Sequence, residues 1–270
     1  MQKKNDEEKY SLYKTVNDLL HPSISKRNIS NYRIVLDEDI IPVRVSYPRK
    51  VSEIKDVAIF FHGDSNVTNT KSNYSDILTV FSKSFDKLTI CIDYDENDSV
   101  KKIIDECYKT YKFIYDRLVM NNIKDSNILL VGDSTASCII DNIIKKGETN
   151  INKIILFYPV LSGEYYGVTK YNSILDNNKI DYDLISKLNK YYSGSDKGIF
   201  PLNNNLQYPS TLVICGNVDP LIDENICFSE KNDNINLIKI GFASHGFLNS
   251  NDKEIIKEYE SSINKFLSSK

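Results

Sequence analysis

Three residue types that together can cleave an acyl bond follow separate apolar runs of the sequence. Ser134 comes after "ILLVGD", Asp219 after "STLVICGNV" and His245 after "INLIKIGFAS". A serine hydroxyl is a poor nucleophile at pH 7 unless an imidazole accepts its proton and a carboxylate orients that imidazole. The order serine, acid, histidine along the chain therefore indicates nucleophilic catalysis of acyl transfer.

The turn that carries Ser134 has a composition typical of a tight strand-to-helix bend. It reads "VGDSTAS" over 131–137 and is similar to the nucleophile elbow G-x-S-x-G, whose strained turn exposes the serine hydroxyl. Ala136 replaces the last glycine of that pattern, but a small residue still lets strand and helix approach. The alternative is that Ser134 only starts a helix, because Gly-Asp-Ser is also an ordinary N-cap sequence.

The chain has three histidines, and their positions favour His245 as the base. His21 lies in an N-terminal turn that no predicted strand precedes. His62 opens the polar loop 62–65, which follows the buried run "VAIFF" and is expected to offer backbone N–H groups to a developing oxyanion. The N–H of Thr135, directly after Ser134 and at a helix start, is another predicted donor.

Seven short apolar runs predict strands, and segments of helical period lie between several of them. The predicted strands are 40–47, 57–61, 88–93, 128–132, 153–159, 210–216 and 235–240, and the predicted helices are 99–119, 134–144, 252–267 and one near 182–192. This alternation predicts the α/β class, with a mostly parallel sheet and helices on both faces. Ligands of such sheets bind beyond the carboxyl ends of the strands, where the serine, acid and histidine motifs fall.

Residues 161–209 interrupt this alternation because they contain no convincing strand. Nearly fifty residues between strands exceed an ordinary loop, so the segment is predicted to be an insertion with a function. Its tyrosine density suits a partly buried cap over a pocket, and the alternative is an unpacked surface excursion. The tyrosines are Tyr165, Tyr166, Tyr171, Tyr182, Tyr191 and Tyr192.

Composition and charge exclude several classes of partner. The chain has 34 Lys and Arg against 37 Asp and Glu, so a formal net charge of −3 gives no basic face for nucleic acid. No apolar run approaches the ~18 residues of a membrane span, and the first residues lack the apolar core of a secretory signal. Five cysteines with no C-x-x-C pair are typical of reduced thiols and predict a cytoplasmic protein.

From about residue 34 to 265 the sequence resembles the hormone-sensitive-lipase branch of the α/β-hydrolases, the esterase group called the alpha/beta hydrolase fold-3 family. The segments that carry this resemblance are "IFFHGDS" (59–65), "NILLVGDSTAS" (127–137), "PSTLVICGNVDPLIDE" (209–224) and "SHGF" (244–247). The most specific are the D-P-L-x-D-E stretch and the terminal H-G-F.

The resemblance implies an α/β-hydrolase fold in one domain, residues 1–270, with a small helical cap formed by about 1–32 and 161–205. It implies no metal and no organic cofactor. It also assigns the roles of a triad, with Ser134 as nucleophile, Asp219 as acid and His245 as base.

The oxyanion loop departs from the family's H-G-G-G pattern, because it reads His-Gly-Asp-Ser. The predicted oxyanion donors are the amides of Gly63, Asp64 and Thr135. An Asp64 carboxylate that faced the oxyanion would oppose catalysis. We therefore expect that side chain to point away from it, or to meet a cationic or hydroxyl group of the substrate.

Three further side chains are expected to support these groups: His62, Asp133 and Asp223. Asp223 also lies in the acid loop, so it is a fallback for Asp219 as the acid. Its favoured role is to brace that loop.

The function predicted from these observations is a serine carboxylesterase that hydrolyses small, short-acyl esters through an acyl-enzyme. An amidase of the arylformamidase type would share the same triad and stays an alternative. A third hypothesis is a non-catalytic ligand-binding protein on the same fold. It is disfavoured because such a protein would be expected to lose the histidine base, which is present here. Many relatives dimerise through the eighth strand or the last helix, so a homodimer is left open.

Overall fold

The computed structural model describes residues 12–22, 29–36, 39–51, 54–63, 74–163, 167, 169, 186 and 197–269. Its strands are β1 (Leu12–Lys14), β2 (Ser30–Leu36), β3 (Asp39–Ser46), β4 (Val57–Phe61), β5 (Leu88–Ile92), β6 (Ile128–Asp133), β7 (Lys153–Phe157), β8 (Ser210–Gly216) and β9 (Ile235–Ile240). Its α-helices are α1 (Val16–Leu20), α2 (Ser75–Lys83), α3 (Val100–Met120), α4 (Ala136–Lys145), α5 (Ile222–Glu230) and α6 (Lys253–Ser268). Short 3₁₀ turns lie at Asp125–Asn127, Lys197–Ile199, Pro201–Asn203 and Phe247–Asn249.

The nine described strands form one sheet in the order β1-β2-β3-β5-β4-β6-β7-β8-β9. β3 runs antiparallel to both β2 and β5. From β5 to β9 every neighbouring pair is parallel, so the carboxyl ends of these strands share one edge of the sheet. The predicted α/β class, with a mostly parallel sheet, is confirmed.

The central strands are apolar on both faces, because helices cover both. In β4 the side chains of Val57, Ile59 and Phe61 enter one core cluster, whereas Ala58 and Phe60 enter the other. Successive side chains of a strand point to opposite faces, so this split places two cores on the two sides of the sheet. Helices α1, α3, α4 and α5 contribute to the first cluster, and α2 and α6 contribute to the second.

The predicted helices lie close to their observed bounds, with one instructive difference. The segment 99–119 is α3, whose N-cap is Ser99, and 252–267 is α6, whose N-cap Asp252 accepts from two backbone N–H groups. The third was expected to begin at Ser134, but α4 begins at Ala136. The residues before it belong to the turn that carries Ser134.

Several elements were not predicted from the sequence. They are β1, β2, α1, α2 and α5. Within the segment 1–32, β1 pairs in parallel with β2, and α1 buries Val16 and Leu19 in the core. The helix predicted near 182–192, and most of the insertion 161–209, lie outside the described residues. Among the described helices, none is both long and apolar enough to cross a membrane.

A buried carboxylate ties α4 to the segment that precedes β8. Asp141 is 1% exposed and accepts hydrogen bonds from the Tyr208 hydroxyl and, at 2.5 Å, from the Asn204 side-chain amide. Burial raises the pKa of Asp141 to about 6 from its ordinary value of 3.8, in spite of the two donors. The folded state therefore holds this proton more tightly than the unfolded chain does.

We expect this group to make folding stability fall as pH rises from about 4 to about 7. Its contribution is fully present below the unfolded pKa and is lost as pH passes through the folded pKa, a change of about 1–3 kcal/mol. Urea unfolding at pH 4.5 and 7.5 should show a smaller difference for Asp141→Asn than for the wild type. The exposed carboxylate Asp116 on α3 provides a control substitution, Asp116→Asn. An Asp141→Asn protein that kept the full wild-type difference would refute this expectation.

Candidate active site

Ser134 lies on a strained turn between β6 and α4, as in a nucleophile elbow. Its φ is +51°, a conformation that costs a non-glycine residue energy and persists only where neighbours enforce it. Its N–H donates to the carbonyl of Phe157 at 2.9 Å, and its carbonyl accepts from the N–H of Val160 at 3.0 Å. The end of β7 and the residues directly after it therefore hold the turn in place.

The strand and the helix approach closely at this turn because small residues face each other. A Cβ atom on Gly132 would lie 2.9 Å from Cδ1 of Ile140 and 3.2 Å from Cβ of Ala136. A side chain at 132 would crowd Ile140 and Ala136, so glycine favours this close approach, and the alanine at 136 is accommodated. The N-cap of α4 is Thr135, so Ser134 is not the residue that caps the helix.

The Ser134 hydroxyl contacts a histidine, and this histidine in turn contacts a buried carboxylate. Its Oγ lies 3.0 Å from Nε2 of His245, and Nδ1 of His245 lies 3.0 Å from Oδ2 and 3.3 Å from Oδ1 of Asp219. Asp219 is fully buried, and its Oδ1 also accepts from the N–H of Leu221 at 2.8 Å. A proton on Nδ1 would let the ring donate to Asp219 while Nε2 accepts from Ser134.

The loops after β8 and β9 are joined, and this junction brings the acid to the histidine. A Cβ atom on Gly216 would lie only 2.0 Å from the carbonyl oxygen of Ala243, so no larger residue fits there. The N–H of Val218 donates to that same carbonyl at 3.1 Å. Asp219 and His245 stand one and two residues beyond these contacts, so the backbone fixes their separation.

Asp223, the fallback acid, is directed elsewhere. Its Oδ2 accepts from the N–H of Thr169 at 2.8 Å. Gly167 has a φ of +77°, and a Cβ atom there would lie 2.3 Å from Cβ of Asp223. The carboxylate of Asp223 therefore braces the insertion against the start of α5, and it is Asp219 that meets His245.

The loop after β4 packs directly on the turn of Ser134. A Cβ atom on Gly63 would lie 3.0 Å from Cβ of Ser134 and 3.0 Å from the carbonyl oxygen of Asp133. The N–H of Gly63 donates to Oδ1 of Asp133 at 2.8 Å. This bond corrects the prediction that the Gly63 amide is an oxyanion donor, because a carboxylate already takes that hydrogen. Asp64 lies outside the described residues, and Thr135 follows Ser134 at the N-terminus of α4.

Residues 58–247 match the family model described as alpha/beta hydrolase fold. The chain belongs to the alpha/beta hydrolase fold family. The resemblance found in the sequence is thereby confirmed for most of the chain. No curated protein sequence matched it.

Solved structures with this fold are similar over nearly the whole chain of this alpha/beta hydrolase. An esterase from Pyrobaculum calidifontis superimposes with a TM-score of 0.76 at 16% identity, covering 94% of this chain and 88% of its own. A thermostable carboxylesterase cloned from a metagenomic library gives 0.73 at 18%, covering 94% and 92%. An esterase of the bacterial hormone-sensitive lipase family gives 0.71 at 17%, covering 93% and 86%.

His62 of this hydrolase supports the loop after β4 from behind. Its ring stacks on Tyr94 with centroids 4.1 Å apart and planes within 5°, and its Nδ1 donates to the Gly63 carbonyl at 2.8 Å. The Tyr94 hydroxyl donates to the His62 carbonyl at 2.6 Å. Carboxylates of Asp93 and Glu96 lie 3.6 and 3.4 Å from the two ring nitrogens. These contacts are consistent with the supporting role predicted for His62.

Two tyrosines at the site were not predicted from the sequence. Tyr158 directly follows β7, has a φ of +35°, and places its ring 4.9 Å from the ring of His245. Tyr74 immediately precedes α2, and its ring lies 5.3 Å from that of His62. The rule that ligand-binding residues follow strand ends would have found Tyr158 had it been applied to β7. No comparable signal marks Tyr74.

In the part of the chain that the structure describes, no group of three or more His, Cys, Asp or Glu side chains could hold a metal ion.

Proposed function

We propose that this alpha/beta hydrolase is a serine carboxylesterase that cleaves small, short-acyl esters through an acyl-enzyme. The observation that carries the proposal is the continuous contact from Ser134 Oγ to His245 Nε2, 3.0 Å, and from His245 Nδ1 to Asp219 Oδ2, 3.0 Å. The family match and the esterases among the structural neighbours support the same class of enzyme.

In the proposed acylation step, Ser134 Oγ attacks the carbonyl carbon of the ester while Nε2 of His245 takes the hydroxyl proton. Asp219 accepts a hydrogen bond from the Nδ1–H of His245 and stabilises the positive charge that the ring acquires. The carbonyl oxygen becomes an oxyanion, which the N–H of Thr135 and the predicted donor at Asp64 stabilise. As the tetrahedral intermediate collapses, His245 returns its proton to the departing alkoxide, which leaves as an alcohol.

In the proposed deacylation step, water takes the place of the alcohol. His245 accepts a proton from this water, whose oxygen attacks the acyl carbon, and the second collapse returns the proton to Ser134 Oγ. The product acid leaves and the triad is regenerated.

The single domain of residues 1–270 and its two cap segments, about 1–32 and 161–205, remain proposals. The cap is supported by the contact of Asp223 with Thr169, which attaches the insertion to the helix that follows the acid loop. The N–H of Leu161, at the start of the insertion, likewise donates to the buried carboxylate of Glu224 at 2.7 Å. A segment held at this edge of the sheet would limit the length of acyl chain that reaches Ser134.

The experiment that tests the proposed function is a panel of p-nitrophenyl esters from acetyl to decanoyl, assayed beside N-formyl and N-acetyl anilides. We expect kcat/KM to be highest for the acetyl and butyryl esters and to fall for long acyl chains. A higher kcat/KM for the anilides than for the esters would mean that the protein is an amidase. If the folded protein hydrolyses neither the esters nor the anilides, the hypothesis of a non-catalytic ligand-binding protein is favoured. The cytoplasmic location and the homodimer stay predictions.

A further inference from the structure

Gly63 is held at both of its backbone polar groups. Its N–H donates to Oδ1 of Asp133 at 2.8 Å. Its carbonyl accepts from Nδ1 of His62 at 2.8 Å and from the hydroxyl of Tyr74 at 3.3 Å. The peptide groups on either side of this glycine are therefore fixed in direction as well as in position.

Asp133 joins this loop to the turn of Ser134 and to the surroundings of the base. Its Oδ2 lies 3.5 Å from the Tyr74 hydroxyl and 3.4 Å from the Tyr158 hydroxyl. Asp133 is only 4% exposed, and Tyr158 also contacts the ring of His245. One buried carboxylate thus connects the loop after β4, the residue before the nucleophile and the packing of the histidine.

The direction of the Gly63 peptide groups matters because oxyanion donors must point where charge develops. A peptide group is planar, so hydrogen bonds at both the N–H and the carbonyl of Gly63 fix the direction of the backbone at this glycine. Preorganised donors are effective because they need no reorientation during the reaction. Thr135 stands two residues after Asp133. The bond from Gly63 to Asp133 therefore fixes the position of the loop after β4 relative to the turn that carries the Thr135 N–H.

We propose that Asp133 is a positioning residue, whose side-chain oxygen anchors the Gly63 N–H and so keeps the oxyanion loop aligned with the turn of Ser134. This inference rests on the proposed esterase function. The required property is a hydrogen-bond acceptor in this place. A negative charge is not required, which is consistent with burial raising the pKa of Asp133 to about 7.

The two substitutions Asp133→Asn and Asp133→Ala separate these properties. Asparagine keeps an acceptor oxygen for Gly63, whereas alanine removes it. We expect Asp133→Ala to lower kcat for p-nitrophenyl acetate about 100-fold with KM within about threefold, as for loss of an oxyanion donor. Asp133→Asn should stay within about fivefold of the wild type. If Asp133 only stabilised the fold, Asp133→Ala would not lower kcat while KM stayed the same. Asparagine would also not be expected to restore kcat.

Hydrogen exchange of the Gly63 amide provides a readout that does not depend on turnover. The amide should exchange faster in Asp133→Ala than in the wild type and Asp133→Asn. If Asp133→Ala fails to fold, the tyrosines give a second comparison. Tyr74→Phe and Tyr158→Phe each remove a hydroxyl near Oδ2 of Asp133, but only Tyr74 also bonds the Gly63 carbonyl. Tyr74→Phe should therefore lower kcat more than Tyr158→Phe does.

Three results would overturn the positioning role. They are wild-type kcat in Asp133→Ala, equal losses in Asp133→Asn and Asp133→Ala, or, where Asp133→Ala does not fold, a Tyr158→Phe loss at least as large as that of Tyr74→Phe. Failure of the esterase function itself is distinguishable, because it would show in the wild-type protein as absent or weaker ester hydrolysis than anilide hydrolysis, or as hydrolysis that Ser134→Ala does not affect. In that event unchanged exchange of the Gly63 amide would still refute the contact on which the inference depends.

Discussion

Ser134→Ala is expected to lower kcat for p-nitrophenyl acetate by about 10⁵-fold or more, leaving only the residual catalysis that substrate binding and the oxyanion donors provide. The alanine side chain lacks the oxygen that attacks the carbonyl, and among the described residues no other hydroxyl lies within hydrogen-bond distance of His245 Nε2. The protein should remain folded, since the lost atom makes one side-chain hydrogen bond in the described structure and the backbone bonds of the turn are retained. Initial rates, with circular dichroism and thermal unfolding as checks, measure both effects.

A matched control for this variant is Ser137→Ala. Ser137, in the first turn of α4, is also a buried serine, but its hydroxyl donates to the carbonyls of Ser134 and Val160 and does not contact the histidine. Its loss should reduce stability by about 1 kcal/mol and leave kcat within about tenfold. Hydrolysis at close to the wild-type rate in purified Ser134→Ala would mean that another group is the nucleophile.

Asp219→Asn should produce the second largest loss, about 10⁴-fold in kcat with little change in KM. Asparagine has almost the same shape, but its amide group can face Nδ1 of His245 and favour the tautomer that carries its proton on Nε2. That tautomer cannot accept the proton of Ser134. The neutral side chain also removes the charge that stabilises the imidazolium, which is why a conservative substitution has a large effect.

The matched control is Asp223→Asn, four residues further along the chain. Asp223 accepts from the N–H of Thr169, and asparagine can accept the same bond. We expect kcat for the acetyl ester to stay within about tenfold of the wild type. The opposite ranking, with the larger loss in Asp223→Asn, would transfer the role of acid from Asp219 to Asp223.

The strands that hold the site were predictable because burial on both faces leaves a strong signal. β4, β5 and β6 are short runs of apolar, mostly β-branched or aromatic residues, and their observed bounds lie within one residue of those predicted. α5 was missed because its sequence, "IDENICFSE", mixes buried polar residues such as Glu224 and Asn225 with few apolar ones. β1 has only three residues, too few for a periodic pattern.

The contacts among Ser134, His245 and Asp219 were predictable because side-chain chemistry and strand ends coincide in the sequence. The direction of a backbone N–H is not encoded in the same way. Gly63 has the right place in the chain for an oxyanion donor, yet tertiary packing brings Asp133 to its amide hydrogen. Tyr74 reaches Asp133 from the residue before α2, and no local pattern reports a contact between residues 59 positions apart.

Covalent labelling with a fluorophosphonate, detected by intact mass and peptide mapping, tests directly whether Ser134 is an activated nucleophile. Such a probe reacts with a serine only where a base and an oxyanion site activate it. We expect one adduct per chain, on Ser134, that is absent from Ser134→Ala and much slower to form in Asp219→Asn. An adduct on another residue, or ester hydrolysis by wild-type protein that the probe neither labels nor inhibits, would contradict this expectation.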